Sequence, residues 1–321
     1  MPPKRKAEDH DDLPAPKSKG SKQPKEPLKP LDPDMPTNTV LPTPLTVPAR
    51  ADTTRVRLAT WNLAGIKACD KKGLKFYLEA EDPDVIVLTE TKVQSDPKIA
   101  HLETRFEHRA WGGDPQKGYA GVAILSKIKP INITYGLPTL EQPETSHGRM
   151  ITFEFESVYL VGVYVVNAGQ GLKNMESKKQ WNIAFEKHLR ELDAKKPVII
   201  AGDINCAQSE KDLRHSKPNW NKTPGYTQTE IDGLNAQLHP PLDSGFEPLT
   251  DVWRLKHPDT EGHYTYYSYK FQCRQKGIGW RLDTFICSDR VLDRVVNCEI
   301  RHHVFGASDH VPVVMEWNAE L

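Results

Sequence analysis

The amino-acid sequence predicts stacked β-sheets flanked by helices, an α/β arrangement. Short apolar runs rich in β-branched and aromatic residues recur along most of the chain. Helical periodicity is scarce, and strands and helices do not alternate as they would in a repeating βα fold. The β-rich runs lie at Val56–Leu63, Val85–Leu88, Gly121–Leu125, Ile151–Phe155, Tyr159–Val166 and Val198–Ala201. Others follow at Tyr264–Tyr269, Leu282–Cys287, Val295–Ile300 and Val311–Trp317. One helix is plain. Trp181, Phe185, Leu189 and Leu192 recur at spacings of four and three across Met175–Ala194, which lays a single apolar stripe on a helical period. A second helix is predicted over Lys71–Ala80.

Residues 1–54 read differently. Twelve of the 26 prolines fall before residue 49, and Phe, Tyr and Trp are absent, so the segment cannot bury enough apolar surface to offset its ordering entropy. It reads as a disordered tail, with residues 55–321 as one domain. Lys4-Arg5-Lys6, followed by Lys17, Lys19, Lys22 and Lys25, resembles a nuclear import signal. The expected compartment is the nucleus, with a mitochondrial fraction allowed. The 43 basic and 43 acidic residues balance, which argues against coating nucleic acid by bulk charge and leaves local patches to bind it. No run of 18 apolar residues exists, so no membrane association is expected. The charged, proline-rich start is unlike a secretory signal. Cys69, Cys206, Cys273, Cys287 and Cys298 are widely spaced and odd in number, a pattern of reduced thiols and not of a disulfide framework or zinc site.

Several apolar runs end in a carboxylate or carboxamide. Leu58-Ala59-Thr60-Trp61 runs into Asn62, Val85-Ile86-Val87-Leu88-Thr89 into Glu90, and Val198-Ile199-Ile200-Ala201-Gly202 into Asp203, with Asn205 two residues on. Ser308-Asp309-His310 precedes the last run. If these strands share a sheet, hard oxygen ligands gather at one rim, which suits Mg²⁺, and a histidine beside them suits proton transfer or a phosphate contact. No G-x-S-x-G elbow and no glycine-rich P-loop is present.

Six segments in series make the pattern specific. They are Trp61-Asn62-Leu63-Ala64-Gly65, Leu88-Thr89-Glu90-Thr91-Lys92, Tyr164-Val165-Val166-Asn167-Ala168-Gly169, Gly202-Asp203-Ile204-Asn205, Gly279-Trp280-Arg281-Leu282-Asp283 and Ser308-Asp309-His310. Together they resemble the exonuclease III family of abasic-site endonucleases, close to its animal and fungal branch, across nearly all of residues 55–321. The resemblance implies a four-layer α/β sandwich, two mixed sheets packed face to face between helices. It implies hydrolysis of the DNA backbone 5′ to an abasic site, with 3′-end trimming, by a monomer using Mg²⁺, or Mn²⁺ in its place.

The resemblance also implies roles. Glu90 holds the metal, aided by Asp309 and Asn62, with Asp203, Asn205 and His310 close enough to share in the ligand set. Asp203 activates or protonates at the reacting centre, and Asn205 orients the attacking water. His310 faces the scissile phosphate and pairs with Asp283, which favours the imidazolium. Tyr164 and Asn167 donate to phosphate oxygens. Tyr266, Trp280 and Leu282 form the pocket for the extruded abasic sugar. Of the basic residues near the motifs (Lys67, Lys71, Lys72, Lys92, Lys222, Arg274, Lys276 and Arg281), Lys71, Lys72 and Lys276 are the candidate phosphate contacts.

Departures from the family pattern are Ala64, where an Asp or Asn is expected, Gln170 in place of an arginine, Lys270 in place of a methionine, and Tyr266 in place of a phenylalanine. Ala59 stands where vertebrate members carry a redox cysteine, so no redox role carries over. Two other readings stay open: a phosphodiesterase of the same fold acting on RNA or phosphoinositides, and a damage-binding protein with little catalysis, prompted by Ala64.

Overall fold

The computed structural model describes residues 40–321. The chain opens with β1 (Val56–Asn62), α1 (Ile66–Lys72), α2 (Leu74–Glu81), β2 (Val85–Thr89), α3 (Ala100–Arg105), β3 (His108–Gly112) and β4 (Val122–Ser126). It then builds β5 (Asn132–Tyr135), β6 (Met150–Glu154), β7 (Tyr159–Tyr164), α4 (Met175–Asp193) and β8 (Val198–Asp203). After α5 (Ser216–Asn219) and α6 (Gln228–Leu238) come β9 (Leu249–Asp251), α7 (Val252–Lys256) and β10 (Asp283–Ser288). Finally β11 (Val295–Ile300) and β12 (Val313–Trp317) return to the starting sheet. The two six-stranded sheets have the orders β11-β12-β1-β2-β4-β3 and β5-β6-β7-β8-β10-β9. Among the described residues, only β1–β2 and β7–β8 pair in parallel, each after a helical crossover, so both sheets are mixed.

Alternation along the strands makes the layers. Leu58, Val85, Val87 and Ile124 meet Phe153, Leu160, Ile199 and Phe285 between the sheets. Ala59, Trp61, Ile86 and Leu88 turn the other way, onto Ile66, Leu74 and Leu78 of α1 and α2. On the far side, Val161, Val163 and Ile200 pack on Trp181, Phe185 and Leu189, the stripe read from the sequence. Both faces of the central strands are covered, which is why they read as continuous apolar runs. The result is the four-layer α/β sandwich.

Two expected elements differ. Tyr264–Tyr269 is not a strand. Its amides bond outward to two loops, Tyr266 N to Trp280 O at 2.8 Å and Tyr267 N to Asp309 O at 2.8 Å, so it tethers the site's loops in place of joining a sheet. The helix expected over Lys71–Ala80 is two helices, divided at Gly73, whose φ of 124° only glycine adopts readily. The strands β3, β5 and β9 and the helices α3 and α6 are short or polar and give little sequence signal.

Residues 40–54, read as tail from their composition, make contacts with the domain. Leu41 is buried against the α1–α2 layer. Arg50 Nη1 donates to Asp84 Oδ2 at 2.8 Å, and its Nη2 to Asp82 O at 2.7 Å. The prolines that mark this segment as a tail also restrict it when unfolded, so few contacts suffice to hold it. Residues 1–39, with the import-like lysines, lie outside the described residues. A chain starting at residue 55 is therefore expected to melt lower than one starting at residue 40, and Leu41→Ala to cost about 2 kcal/mol, the low end for a buried leucine. Equal melting temperatures would refute the docking of residues 40–54.

Candidate active site

Parallel β1–β2 and β7–β8 end at one rim, and the antiparallel β10 and β12 begin there. Asn62 closes β1 and Glu90 follows β2. Tyr164 and Asp203 close β7 and β8 in register with each other, and Asp283 opens β10 opposite Asp203. Ser308 joins the last segment to the rim, donating from Oγ to Asn62 O at 2.7 Å and accepting from His310 N at 3.1 Å. Ala64, Glu90 and Asn205 have φ of 50°, 47° and 51°. Residues with a Cβ seldom adopt that region, and such strain concentrates at functional sites. Gly202, beneath Asp203, has φ 143°, and a Cβ there would run into the carbonyl of Val163. The Gly-Asp pair is thus a backbone requirement.

The side chains form one connected set. His310 Nδ1 lies 2.7 Å from Asp283 Oδ2. Asn62 Nδ2 donates to Asp203 Oδ2 at 2.9 Å and Glu90 Oε1 at 3.1 Å, while its Oδ1 accepts from Ala64 N at 3.0 Å. Tyr164 donates its hydroxyl to Glu90 Oε1 at 3.0 Å. Asn167 Nδ2 donates to Asn205 Oδ1 at 2.8 Å, and Asn205 Nδ2 to Val165 O at 2.9 Å. The Asn205 amide N–H also donates to Asp203 Oδ1 at 2.9 Å.

Burial and charge set the protonation states. Burial works against a charged His310, but Asp283, by charge and hydrogen bond, outweighs it with help from Asp203 and raises its pKa to about 10. Burial, then the Asp283 charge, raises Asp203 to about 7. Burial also acts to raise Glu90, yet His310, Lys92 and the Asn62 bond hold it below its ordinary range. Burial and the Glu90 charge lift Tyr164 well above the ordinary phenol range, which keeps it a neutral donor.

The residues present fit a hard cation. Lys92 Nζ stands 3.0 Å from Glu90 Oε2, so one cation already finds this carboxylate. Asp309 lines the same cleft, and among the described residues its carboxylate takes only a 3.5 Å contact from Ser308 Oγ. Asp203, Asp283 and His310 also bring ligand atoms within 4.8 Å of one another. That trio is better suited to handling a proton, because Nδ1 of His310 is taken by Asp283 and an imidazolium has no lone pair to offer. Two other expected ligands already have hydrogen-bond partners. Asn62 turns its donor nitrogen toward the carboxylates, and both ends of the Asn205 amide are engaged. Of the expected ligands, Glu90 and Asp309 are the carboxylates best placed to take a cation.

These groups open into a cleft of ≈ 720 Å³ that Tyr266, Trp280 and Leu282 also line. The Tyr266 ring lies 4.8 Å from the His310 ring. An apolar wall and a charged wall thus face one cavity.

The profile of the Endonuclease/Exonuclease/phosphatase family matches residues 59–310. The chain belongs to that family. The DNA repair nuclease APEX1 of Danio rerio is 38% identical over 263 residues, covering 81% of this chain and 81% of that one. A DNA-(apurinic or apyrimidinic site) endonuclease of Dictyostelium discoideum is 35% identical over 267 residues, 82% of this chain and 71% of that one. Among solved structures, the AP endonuclease LMAP from Leishmania major superposes with a TM-score of 0.70 at 25% identity, covering 85% of this chain and 93% of that one.

Within this Endonuclease/Exonuclease/phosphatase site, the basic residues are redistributed. Lys92 and Lys270 line the cleft; Lys71, Lys72 and Lys276 do not. Lys72 instead lies 5.6 Å from the Tyr269 ring, on the last turn of α1. Arg274 is buried, 4.7 Å and 4.9 Å from the Tyr267 and Phe305 rings. Arg281 is buried between Asp212 and Asp251, at 2.7 Å and 2.6 Å. Both are therefore withdrawn from DNA contact. Asn219, Thr223 and Phe271 also line the cleft and escaped the sequence reading. They sit in loops without periodicity, where nothing in the sequence marks a side chain as facing a cavity. Among the described residues, no helix is long and apolar enough to cross a membrane.

Proposed function

We infer that this protein is an abasic-site endonuclease of DNA repair. It would hydrolyse the phosphodiester 5′ to an abasic site, leaving a 3′-hydroxyl and a 5′-deoxyribose phosphate, and trim 3′ ends by the same chemistry. The observation that carries this reading is the Asp203–Asp283–His310 cluster facing Tyr266, Trp280 and Leu282 across one cleft. A nucleotide without its base gives up little stacking on leaving the duplex, and a small apolar wall can admit its sugar while excluding a full nucleotide.

Glu90 and Asp309 would hold Mg²⁺, which when bound neutralises a phosphate oxygen and stabilises the leaving 3′-oxygen. The chain's own residues do the rest. Asp283 holds His310 as an imidazolium that donates from Nε2 to a phosphate oxygen. Asp203, poised near neutrality, accepts a proton from the attacking water. Asn205 and Asn167 lock each other, leaving amide hydrogens for water and phosphate. The repair role fits a nuclear location, and a monomer suffices, since every named group comes from one chain.

The deciding experiment uses a duplex carrying one stable abasic analogue, with Mg²⁺ or EDTA, beside undamaged duplex and RNA. Incision confined to the 5′ side of the analogue, and lost in EDTA, is expected. Equal cutting of undamaged DNA would sink the specificity, and cutting of RNA alone would favour the other phosphodiesterase reading.

The pH profile gives a second check. kcat/KM is expected to rise through about 7 as Asp203 loses its proton, and to fall near 10 as His310 loses its own. Asp283 is what raises His310, so Asp283→Asn should move the alkaline limb to lower pH. An unmoved limb would mean that another group controls it.

A further inference from the structure

Lys178 is 1% exposed and belongs to the inward stripe of α4, where the sequence pattern calls for an apolar residue. Burying an ammonium there is costly unless it is paired and hydrogen-bonded. Its Nζ donates to Asn205 O at 2.9 Å and to Ile204 O at 3.4 Å, and stands 3.8 Å from Glu230 Oε1. Glu230 is fully buried. It accepts from Gly225 N at 3.0 Å and 2.9 Å through its two oxygens, and from Thr227 Oγ1 at 2.9 Å. The Gly225 carbonyl in turn accepts from Ala207 N at 2.7 Å. A Cβ on Gly225 would touch Trp280 at 3.6 Å and Leu282 at 3.8 Å, so this loop backs the apolar wall of the cleft.

We propose that Lys178, anchored by Glu230, is a positioning residue for the hydrolysis: it pins the carbonyls of Ile204 and Asn205 and so fixes Asn205 against Asp203 and Asn167. The inference rests on the abasic-site reading above. Asn205 sits at φ 51°, in a region that residues with a Cβ seldom adopt. Its carboxamide and its amide N–H already bond Asn167, Val165 and Asp203, so only the carbonyl is left to hold the peptide plane. Lys178 holds that carbonyl. Without it, two buried carbonyls lose their donor, the turn relaxes, and the Asn205 amide drifts from Asp203. Glu230 couples the same cation to the Gly225 loop, so one buried ion pair ties the water-orienting turn to the sugar-pocket wall.

The test is a double-mutant cycle on single-turnover incision, with abasic-duplex binding measured while divalent metal is withheld. Lys178→Met keeps the side chain's length and removes the donor. It is expected to lower incision by about 10²-fold, the size of an ångström-scale misplacement, with binding unchanged. On an Asn205→Ala background the same change should cost little more, because the group it positions is already gone. Lys178→Arg should recover most of the rate. An undiminished loss on the Asn205→Ala background overturns the proposal, as does normal incision by a folded Lys178→Met. Should Lys178→Met not fold, Glu230→Gln carries the test. It keeps an acceptor toward Gly225 and removes the charge that anchors Lys178, and additivity with Asn205→Ala would again refute the inference. The parent protein runs in the same assay. If it fails to incise the abasic duplex, the functional reading fails and not this one.

Discussion

Replacing His310 with alanine, or Asp203 with asparagine, is expected to lower kcat for incision by about 10²–10⁴, the range for positioned acid–base and electrostatic groups. His310 is buried with Nδ1 bonded to Asp283 at 2.7 Å, so its charge is held ready where phosphate charge develops. His310→Ala deletes the donor and leaves Asp283 a buried, unpaired carboxylate. Asp203→Asn is nearly isosteric, yet it removes the proton acceptor. It also puts an N–H where Asp203 now accepts from either Asn62 or Asn205. Binding of an abasic duplex should survive both changes, because the cleft's lysines and apolar wall remain. Single-turnover rates beside binding titrations check this. A near-normal rate in either variant would remove that residue from the mechanism.

The largest expected stability loss lies just behind the pocket. Asp212 is buried and accepts from Arg281 Nε at 2.7 Å and Arg254 Nη2 at 2.6 Å, with Ser209 donating from N at 3.0 Å and from Oγ at 2.8 Å. Asp212→Asn would leave the Arg281 guanidinium buried with only Asp251 to answer it. Breaking one side of a buried ion pair costs about 3–5 kcal/mol. The pH dependence has a definite sign. Burial alone would raise the Asp212 carboxyl, but Arg281 and Arg254 hold it below its ordinary value. A depressed carboxyl stabilises the fold above its unfolded-state pKa, and that stability is lost as pH falls through the folded one. The gap in melting temperature between parent and variant should therefore be full at neutral pH and shrink in acid. A pH-independent gap would mean that the lost charge is not the cause. Arg281 lies between Trp280 and Leu282, so KM for the abasic duplex should rise as well.

Much of this protein was legible in its sequence. The β-rich runs gave the central strands of both sheets, though not β3, β5 or β9, because a strand covered on both faces must be apolar throughout. The α4 stripe was equally plain, and Asn62, Glu90 and Asp203 stood out as candidates because a carboxylate or amide after an apolar run is visible without coordinates; His310 stood out only through the Ser308-Asp309-His310 segment ahead of the last run. Tertiary structure alone decided the rest. Which run neighbours which follows from sheet order, and only the antiparallel entry of β10 and β12 brings Asp283 and His310 to the rim where β1, β2, β7 and β8 end. Whether a charge faces DNA or the interior is set by packing: Arg274 and Arg281, basic residues beside the motifs, are buried, and Lys71, Lys72 and Lys276 lie outside the cleft lining. The same applies to Lys178. In the sequence it is one lysine among many on a helix, and only the fold places its ammonium on the carbonyl of Asn205. Residues 40–54 were read as tail because their composition is poor in apolar groups. Leu41 and Arg50 dock nonetheless, because composition counts apolar residues while docking depends on where a few of them land.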